Sequence, residues 1–167
     1  MKVRHVMGVG LAGVFLLTIS LAAANTDVAD AAMRKDRAGL QALLQKGANV
    51  NAAQADGARA IHWAVYNGDL EMTKMLIAAG ADVKVANRNG STPLWLASTN
   101  GDAAIIRALL DGGANPNESL PLGRTPLMLA SRTGALDAMR VLIDRARGPA
   151  TPEAYRAHRR TLWSVAP

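Results

Sequence analysis

The sequence of 167 residues predicts an all-α solenoid of about four helix-turn-helix units with short β-hairpin loops, placed after an N-terminal segment of different character. Two observations lead to this prediction. Glycines recur at a step of 33 residues, as at Gly68, Gly101 and Gly134, and a fixed period of this length is typical of repeat proteins. The chain also lacks cysteine, so it has no disulfide and has to be stabilised by apolar packing between its units.

The N-terminal segment, residues 1–24, has the pattern of a secretory signal peptide. Lys2 and Arg4 form a positive start, residues 6–24 contain no charged side chain, and residues 22–24 offer small side chains for cleavage. We therefore expect the folded part to be exported, either to the periplasm or into the medium. The competing interpretation is an uncleaved membrane anchor, because the uncharged run approaches the ~20 residues that span a bilayer.

The formal net charge of +6 is concentrated at the two ends of the chain. Lys2 and Arg4 lie in the predicted signal, and residues 145–167 carry five arginines and one glutamate. Residues 25–144 hold twelve basic and twelve acidic side chains and therefore balance. A basic stripe for nucleic acid is not expected on the repeats.

The repeat divides the chain into units of about residues 25–53, 54–86, 87–119 and 120–145. Each unit ends its second predicted helix with an apolar pair in the same register. The four pairs are Leu43-Leu44, Leu76-Ile77, Leu109-Leu110 and Leu142-Ile143.

The third unit shows the pattern most fully. It reads Gly-Ser-Thr-Pro-Leu-Trp-Leu-Ala over residues 90–97, then Gly101, then Leu-Leu-Asp-Gly-Gly-Ala-Asn-Pro-Asn over residues 109–117. This resembles the ankyrin repeat, whose pattern is G-x-T-P-L-H-x-A-A-x-x-G, a second helix, and L-L-x-x-G-A-D-V-N. The resemblance covers roughly residues 26–145, and it implies stacked helix pairs that bind a protein on a concave face without catalysis.

The first unit departs from the pattern. Val28 begins its first helix and Leu40 belongs to the apolar stripe of the second. Between them, charged residues 34–37 replace the small residues and the glycine of the other units. Charge at this place suits a terminal unit that faces water.

The other three units begin their first helices differently. Thr92 and Thr125 are predicted N-caps, and Pro93 and Pro126 suit the first helical turn because their φ is preset. The second unit has Arg59 and an alanine at these places and lacks both devices.

The period predicts Gly-Ala at residues 146 and 147, but Ala146 and Arg147 stand there. We expect residues 146–167 to form a basic tail, disordered or weakly helical, that Pro149 and Pro152 detach from the stack. The fourth unit keeps apolar residues such as Leu127, as an internal unit would. These features suggest that the chain derives from a longer array of repeats that has been shortened.

Little in the sequence suggests catalysis, a cofactor or a metal. His62 stands at the histidine of the family pattern, where the resemblance implies a structural hydrogen bond between loops. No nucleophile elbow, zinc motif or phosphate loop occurs. Trp63 is expected to pack in the core, and Trp95 to pack between helices or to join a contact surface.

By resemblance, a partner contacts the loop tips and the exposed side of the first helices, which together we call the concave face. Small or less bulky residues hold some of these positions, namely Ala55, Ala58, Pro121 and Thr133. The predicted contact residues are Asp56, Tyr66, Asn67, Arg88, Asn89, Ser91, Thr99, Asn100, Leu122, Arg124 and Arg132.

The function predicted from the sequence is a non-catalytic protein-binding module or scaffold outside the cytoplasm, with no small-molecule substrate. A membrane-tethered form of the same module is the first alternative. The second, motivated only by the export signal, is an accessory subunit of an exported enzyme.

Overall fold

The computed structural model describes residues 27–119 and 123–147, and these residues form eight α-helices and no β-strand. The all-α repeat solenoid is confirmed. The predicted signal peptide, Leu122 and the tail beyond Arg147 lie outside the described residues. In chain order the helices are α1 (Asp27–Met33), α2 (Arg37–Gln45), α3 (Ala60–Tyr66), α4 (Leu70–Ala78), α5 (Pro93–Asn100), α6 (Ala103–Asp111), α7 (Pro126–Thr133) and α8 (Leu136–Ala146).

The helices form two layers. In the inner layer α1, α3, α5 and α7 pack on one another in turn, and in the outer layer α4 packs on α6 and α6 on α8. The core lies between the layers, and burial of each large aliphatic side chain there contributes about 1.5–3 kcal/mol. Its largest fully buried side chains are Leu40, Ile61, Met72, Leu76, Leu94, Ile105, Ile106, Leu109 and Leu142.

The loops expected to be β-hairpins are tight turns wherever the structure describes them. In unit 2 the N–H of Gln54 donates to the carbonyl of Ala58 at 2.8 Å, and in unit 3 Asn87 donates to Ser91 at 3.1 Å. Inside each turn lies a second bond: the Gly57 N–H donates to the Gln54 carbonyl and the Gly90 N–H to the Asn87 carbonyl, both at 2.9 Å. Neither turn extends into a strand ladder. The Arg88 N–H donates to the Asp56 carbonyl at 3.0 Å, so successive turns are also joined to each other.

The predicted starts of the first helices are confirmed in units 3 and 4. The Thr92 hydroxyl accepts the Trp95 N–H at 3.0 Å, and the Thr125 hydroxyl accepts the Met128 N–H at 3.3 Å. A proline stands in the first turn of both helices. Each threonine thereby satisfies a backbone N–H that would lack a partner at the helix start.

The turns between the paired helices use the left-handed backbone conformation that glycine enters freely. Gly68, Gly101 and Gly134 have φ of 67°, 70° and 68°. In unit 1 the equivalent residue is Lys35, with φ of 61°. A side chain costs about 1 kcal/mol or more in this conformation, so the first unit carries strain that the others avoid.

An ion pair between Arg37 and Asp69 ties the first unit to the second. Nε of Arg37 donates to Oδ2 of Asp69 at 2.8 Å, and the terminal nitrogen donates to Oδ1 at 2.8 Å. Asp69 also caps α4 by accepting the Met72 N–H at 2.9 Å. Arg37, one of the charged residues 34–37, therefore holds units 1 and 2 together while its side chain remains exposed.

Asn51 joins the ends of the outer helices of units 1 and 2. Its Nδ2 donates to the Gly80 carbonyl at 2.9 Å, and its Oδ1 accepts the Asp82 N–H at 2.8 Å. The next equivalent residue is Lys84, whose side chain makes no hydrogen bond to any described residue. The backbone groups of unit 3 that match Gly80 and Asp82 therefore lack this link.

We expect Lys84→Asn to raise the free energy of unfolding by about 1 kcal/mol, because it can form the two hydrogen bonds that Asn51 makes. Urea denaturation of both proteins measures the change. Lys84→Ala is the matched control, since it removes the lysine without adding the amide. Equal stability of the asparagine and alanine variants would contradict the expectation.

The side of unit 4 that points away from unit 3 is less covered by described residues than the matching side of unit 3. Ile106 and Leu110 of α6 are buried, whereas Met139 and Ile143, which hold the same places in α8, are only half-buried. Leu136 of α8 is 65% exposed. The apolar character that the sequence predicted for this unit is therefore partly accessible.

Candidate functional site

Most of the predicted contact residues are accessible on the concave face. Tyr66 is 64% exposed at the end of α3, and Arg132 is exposed near the end of α7. Ala58, at a predicted contact position, is an exception: it is only 4% exposed because it packs beneath the turn. The exposed members are Asp56, Tyr66, Arg88, Asn89, Thr99, Asn100 and Arg132, with Asn67, Ser91 and Arg124 half-buried.

Two of the predicted contact residues join the units. Nδ2 of Asn67 donates to the Ala32 carbonyl at 3.0 Å, and Nδ2 of Asn100 donates to the Val65 carbonyl at 3.4 Å. Each amide thus satisfies a carbonyl near the end of the preceding inner helix. Asparagine recurs here at a step of 33 residues, which a structural position and a contact position would share.

Other polar groups of the set form local bonds. Oδ1 of Asp56 accepts the Ala58 N–H at 2.9 Å and shapes the turn. The Thr99 hydroxyl donates to the Trp95 carbonyl of its own helix at 2.9 Å. Both side chains remain exposed and can still meet a partner.

Trp63 was expected in the core, and this expectation is wrong in part. Its ring packs against the core but is only half-buried, and it lies edge-to-face with Tyr66, with ring centroids 5.9 Å apart and planes at 86°. Nε1 of Trp63 donates to Oε1 of Gln54 at 2.6 Å. The equivalent Leu96 of unit 3 is also half-buried, so this position is partly open to solvent in both units.

These aromatic rings line a depression of about 290 Å³ between the turn tips and helices α3 and α5. Leu96 and the buried His62 form part of its wall, and Asp56 lines the same depression as the rings. The full lining is Asp56, Ala58, His62, Trp63, Tyr66, Asn87 and Leu96.

His62 connects two turns, as the family pattern implies. Its Nδ1 accepts the Arg59 N–H at 3.1 Å, and its Nε2 lies 3.2 Å from the Ser91 carbonyl. Because Nδ1 accepts the Arg59 N–H, it carries no proton, and the proton of the neutral ring is on Nε2. Burial lowers the pKa of His62 below its ordinary value, and its hydrogen bonds to backbone carbonyls oppose this only in part. The ring is therefore a neutral structural group at pH 7.

A larger depression, of about 480 Å³, lies on the outer side between α4 and α6. Leu70 and Ile77 line it, and Lys74 and Arg107 stand at its rim. Lys74 is paired with Glu71 at 3.2 Å. None of the predicted contact residues lines this depression.

Comparison with protein families gives a clear match. A sequence profile described as ankyrin repeats (3 copies) matches residues 28–119 and again residues 61–152, which together make up most of the chain. The chain belongs to the ankyrin-repeat family. A comparison with curated proteins found no match. Ankyrin repeats are generally non-catalytic domains that bind other proteins, and this one is therefore a protein-interaction module.

No three or more His, Asp or Glu side chains of residues 27–119 and 123–147 are grouped so that they could hold a metal ion. None of the eight helices within these ranges is long and apolar enough to cross a membrane.

Proposed function

We propose that this ankyrin-repeat chain acts outside the cytoplasm as a binding module whose concave face, over units 2 to 4, holds a protein partner. The export part rests on the signal-like residues 1–24, with a positive start and a long uncharged run. The binding part rests on the exposed side chains of the concave face. No step of catalysis is assigned to the chain.

One observation carries the choice of surface. Tyr66, Arg88 and Arg132 are large and exposed, and none makes a side-chain hydrogen bond or ion pair to another described residue. Exposed groups of this kind contribute little to folding, whereas tyrosine and arginine are enriched among the residues that dominate binding energy. Asn67 and Asn100, in contrast, are used between units.

Replacing Arg88, Arg124 and Arg132 together by alanine is expected to weaken partner binding at least about tenfold, because arginines at interfaces often contribute more than 1 kcal/mol each. The free energy of unfolding should change little, since the three side chains form no ion pair with the described residues. Affinity is measured by titration with a partner captured from the exported fraction.

The matched control replaces Lys74, Arg107 and Arg140 by alanine, since these three basic residues stand on the outer helices. Binding should survive in this variant. Loss of binding in both triple variants would indicate a non-specific charge effect, and unchanged binding in the first would remove the concave-face proposal.

Mass spectrometry of the mature protein tests the location. An N-terminus at or near Asn25 supports export with cleavage. Retention of residues 6–24 in a protein found with membranes would favour the tethered alternative. A full-length chain in the cytoplasmic fraction would contradict both.

A further inference from the structure

The depression beside Trp63 and Tyr66 has a chemistry that the proposed function does not specify. We propose that it accepts a basic side chain, arginine or lysine, from the protein partner. This inference rests on the proposed binding function, since it assigns the kind of residue that the concave face of unit 2 recognises. Three features of the described residues support it: fixed aromatic rings, an unpaired carboxylate and a suitable size.

The aromatic rings are held in place before any partner arrives. Gln54 accepts from the indole of Trp63 at 2.6 Å, and its Nε2 donates to Oδ1 of Asp30 at 2.6 Å. The Gln54 backbone is fixed in turn by its bond to the Ala58 carbonyl at 2.8 Å. The Trp63 ring is thus oriented from α1 and from the turn, and Tyr66 packs against it. A preorganised site loses less entropy on binding.

The charge of the site comes from Asp56. Oδ1 accepts the Ala58 N–H, while the other carboxyl oxygen has no hydrogen bond and no ion pair with the residues that the structure describes. The neighbouring Arg59 guanidinium lies 3.7 Å from the carboxylate of Asp82, so it is directed to another acid. A carboxylate beside aromatic faces attracts a cation through both the negative charge and the ring quadrupole.

The described basic groups around the depression do not pair with the Asp56 carboxylate. His62 is neutral, and its Nε2 proton is directed at the Ser91 carbonyl. The Arg88 guanidinium makes no ion pair with a described residue, and the Arg88 N–H donates to the Asp56 backbone carbonyl at 3.0 Å. An aliphatic side chain would bury the carboxyl without a partner, at a cost in desolvation. An anionic group would meet the same carboxylate and be repelled.

The size fits one long side chain. A volume of about 290 Å³ lies at the lower limit of pockets that hold small-molecule ligands, which run from about 300 to 1,000 Å³. Tyr66, 64% exposed, leaves the depression open towards the concave face, where a partner's main chain can pass. Arginine can both stack on the rings and bond to the carboxylate, so it is the better occupant.

The first test needs no natural partner. The full chain is titrated with a capped Gly-Arg-Gly peptide at millimolar concentration, and the NMR signal of the Trp63 indole N–H is followed. A capped Gly-citrulline-Gly peptide is the control, because citrulline has the shape of arginine without its charge. We expect a saturable shift with arginine and at least about fivefold weaker binding with citrulline. Equal shifts with both peptides, or none with arginine, would overturn the proposal.

The second test uses two variants. Asp56→Ser removes the charge, yet its hydroxyl can still accept the Ala58 N–H, as serine does in turns. Tyr66→Ala removes an exposed ring. Each variant should lower the affinity for the arginine peptide about fivefold or more, since charge and ring each contribute to the attraction. Asp137→Ser, which removes an exposed carboxylate from α8, should leave this affinity unchanged.

The two proposals fail in different ways. If a captured partner no longer binds the triple arginine variant but binds Asp56→Ser and Tyr66→Ala normally, only the role assigned to the depression is wrong. If the partner binds every concave-face variant normally, the binding function assigned to this face is wrong, whatever the peptides do.

Discussion

Gly101→Val is expected to lower the free energy of unfolding by about 3 kcal/mol, through backbone strain and a steric clash together. Gly101 has φ of 70°, where a β-branched residue is strained. A Cβ at this position would also lie 2.7 Å from Cβ of Ala135 and 3.3 Å from the Thr133 hydroxyl oxygen. Those atoms belong to unit 4, so the substitution pushes two units apart.

Gly134→Val separates the two causes. Its φ is 68°, but a Cβ there would meet no atom of the described residues within 4 Å. This control should therefore carry only the strain, about 1–2 kcal/mol. Urea denaturation of the two variants and the wild type gives both values. Equal losses would show that unit 4 moves aside freely, and a neutral Gly101→Val would contradict the described turn.

The positions of the helices could be predicted from the sequence because each boundary has its own chemical signal. Thr92 and the proline after it fix the start of α5, and Gly101 fixes its end. A period of 33 residues then transfers these boundaries from one unit to the next. The all-α solenoid needed no further information.

Features that break the period were harder to predict. Lys35 takes the left-handed conformation that glycine takes in other units, and nothing in its side chain signals this. Trp63 keeps a period position, and its exposure matches that of the half-buried Leu96 at the equivalent position of unit 3. A large apolar side chain by itself predicts burial, so its type does not indicate this exposure.

The contact residues stay a prediction, and the structure adds only which of them are exposed. Asp56 and Tyr66 are exposed, as the pattern required, but the pattern could not separate Asn67, used between units, from residues that are free to bind. That distinction depends on the carbonyl of Ala32, 35 residues away, and on the distance between two helices. A one-dimensional pattern contains no such distance.

His62→Ala is expected to cost about 3 kcal/mol, since a part-buried N–H loses its only acceptor, a second hydrogen bond is lost and a cavity forms. The Arg59 N–H is the group left unpaired, whereas the Ser91 carbonyl keeps the Asn87 N–H at 3.1 Å. Units 3 and 4 have tryptophan and methionine at this position, and a capping threonine begins each first helix. In unit 2, which has no such threonine, His62 supplies part of the cap.

A second variant separates this bond from a threonine cap. Arg59→Thr combined with Ala60→Pro gives unit 2 the start of units 3 and 4. The threonine hydroxyl would accept the N–H of residue 62, whereas Nδ1 of His62 accepts the N–H of residue 59. In that background His62→Ala should therefore still cost about 3 kcal/mol by urea denaturation, and a cost near zero would contradict the role given to Nδ1.

The same residue should make stability depend on pH. The pKa of folded His62 is lowered, mainly by burial, from the ordinary value of about 6.5. Above pH 6.5 both folded and unfolded states are neutral at this ring, so its contribution is fully present. Below pH 6.5 the unfolded state binds a proton that the folded state excludes. Stability should therefore fall with decreasing pH, by up to about 1.4 kcal/mol per pH unit, until the folded pKa is reached.

Urea denaturation of the wild type and of His62→Gln between pH 7.5 and 5 measures this effect. Glutamine keeps an acceptor and a donor but has no charge change in this range, so the variant should lose the slope that His62 causes. His5 and His158 are present in both proteins, and their titration cancels in the difference. Parallel stability curves would show that folded His62 takes up a proton as readily as the unfolded chain. A buried ring whose Nδ1 already accepts an N–H has no place for that proton, because protonation would break the Arg59 bond and leave a charge in the core.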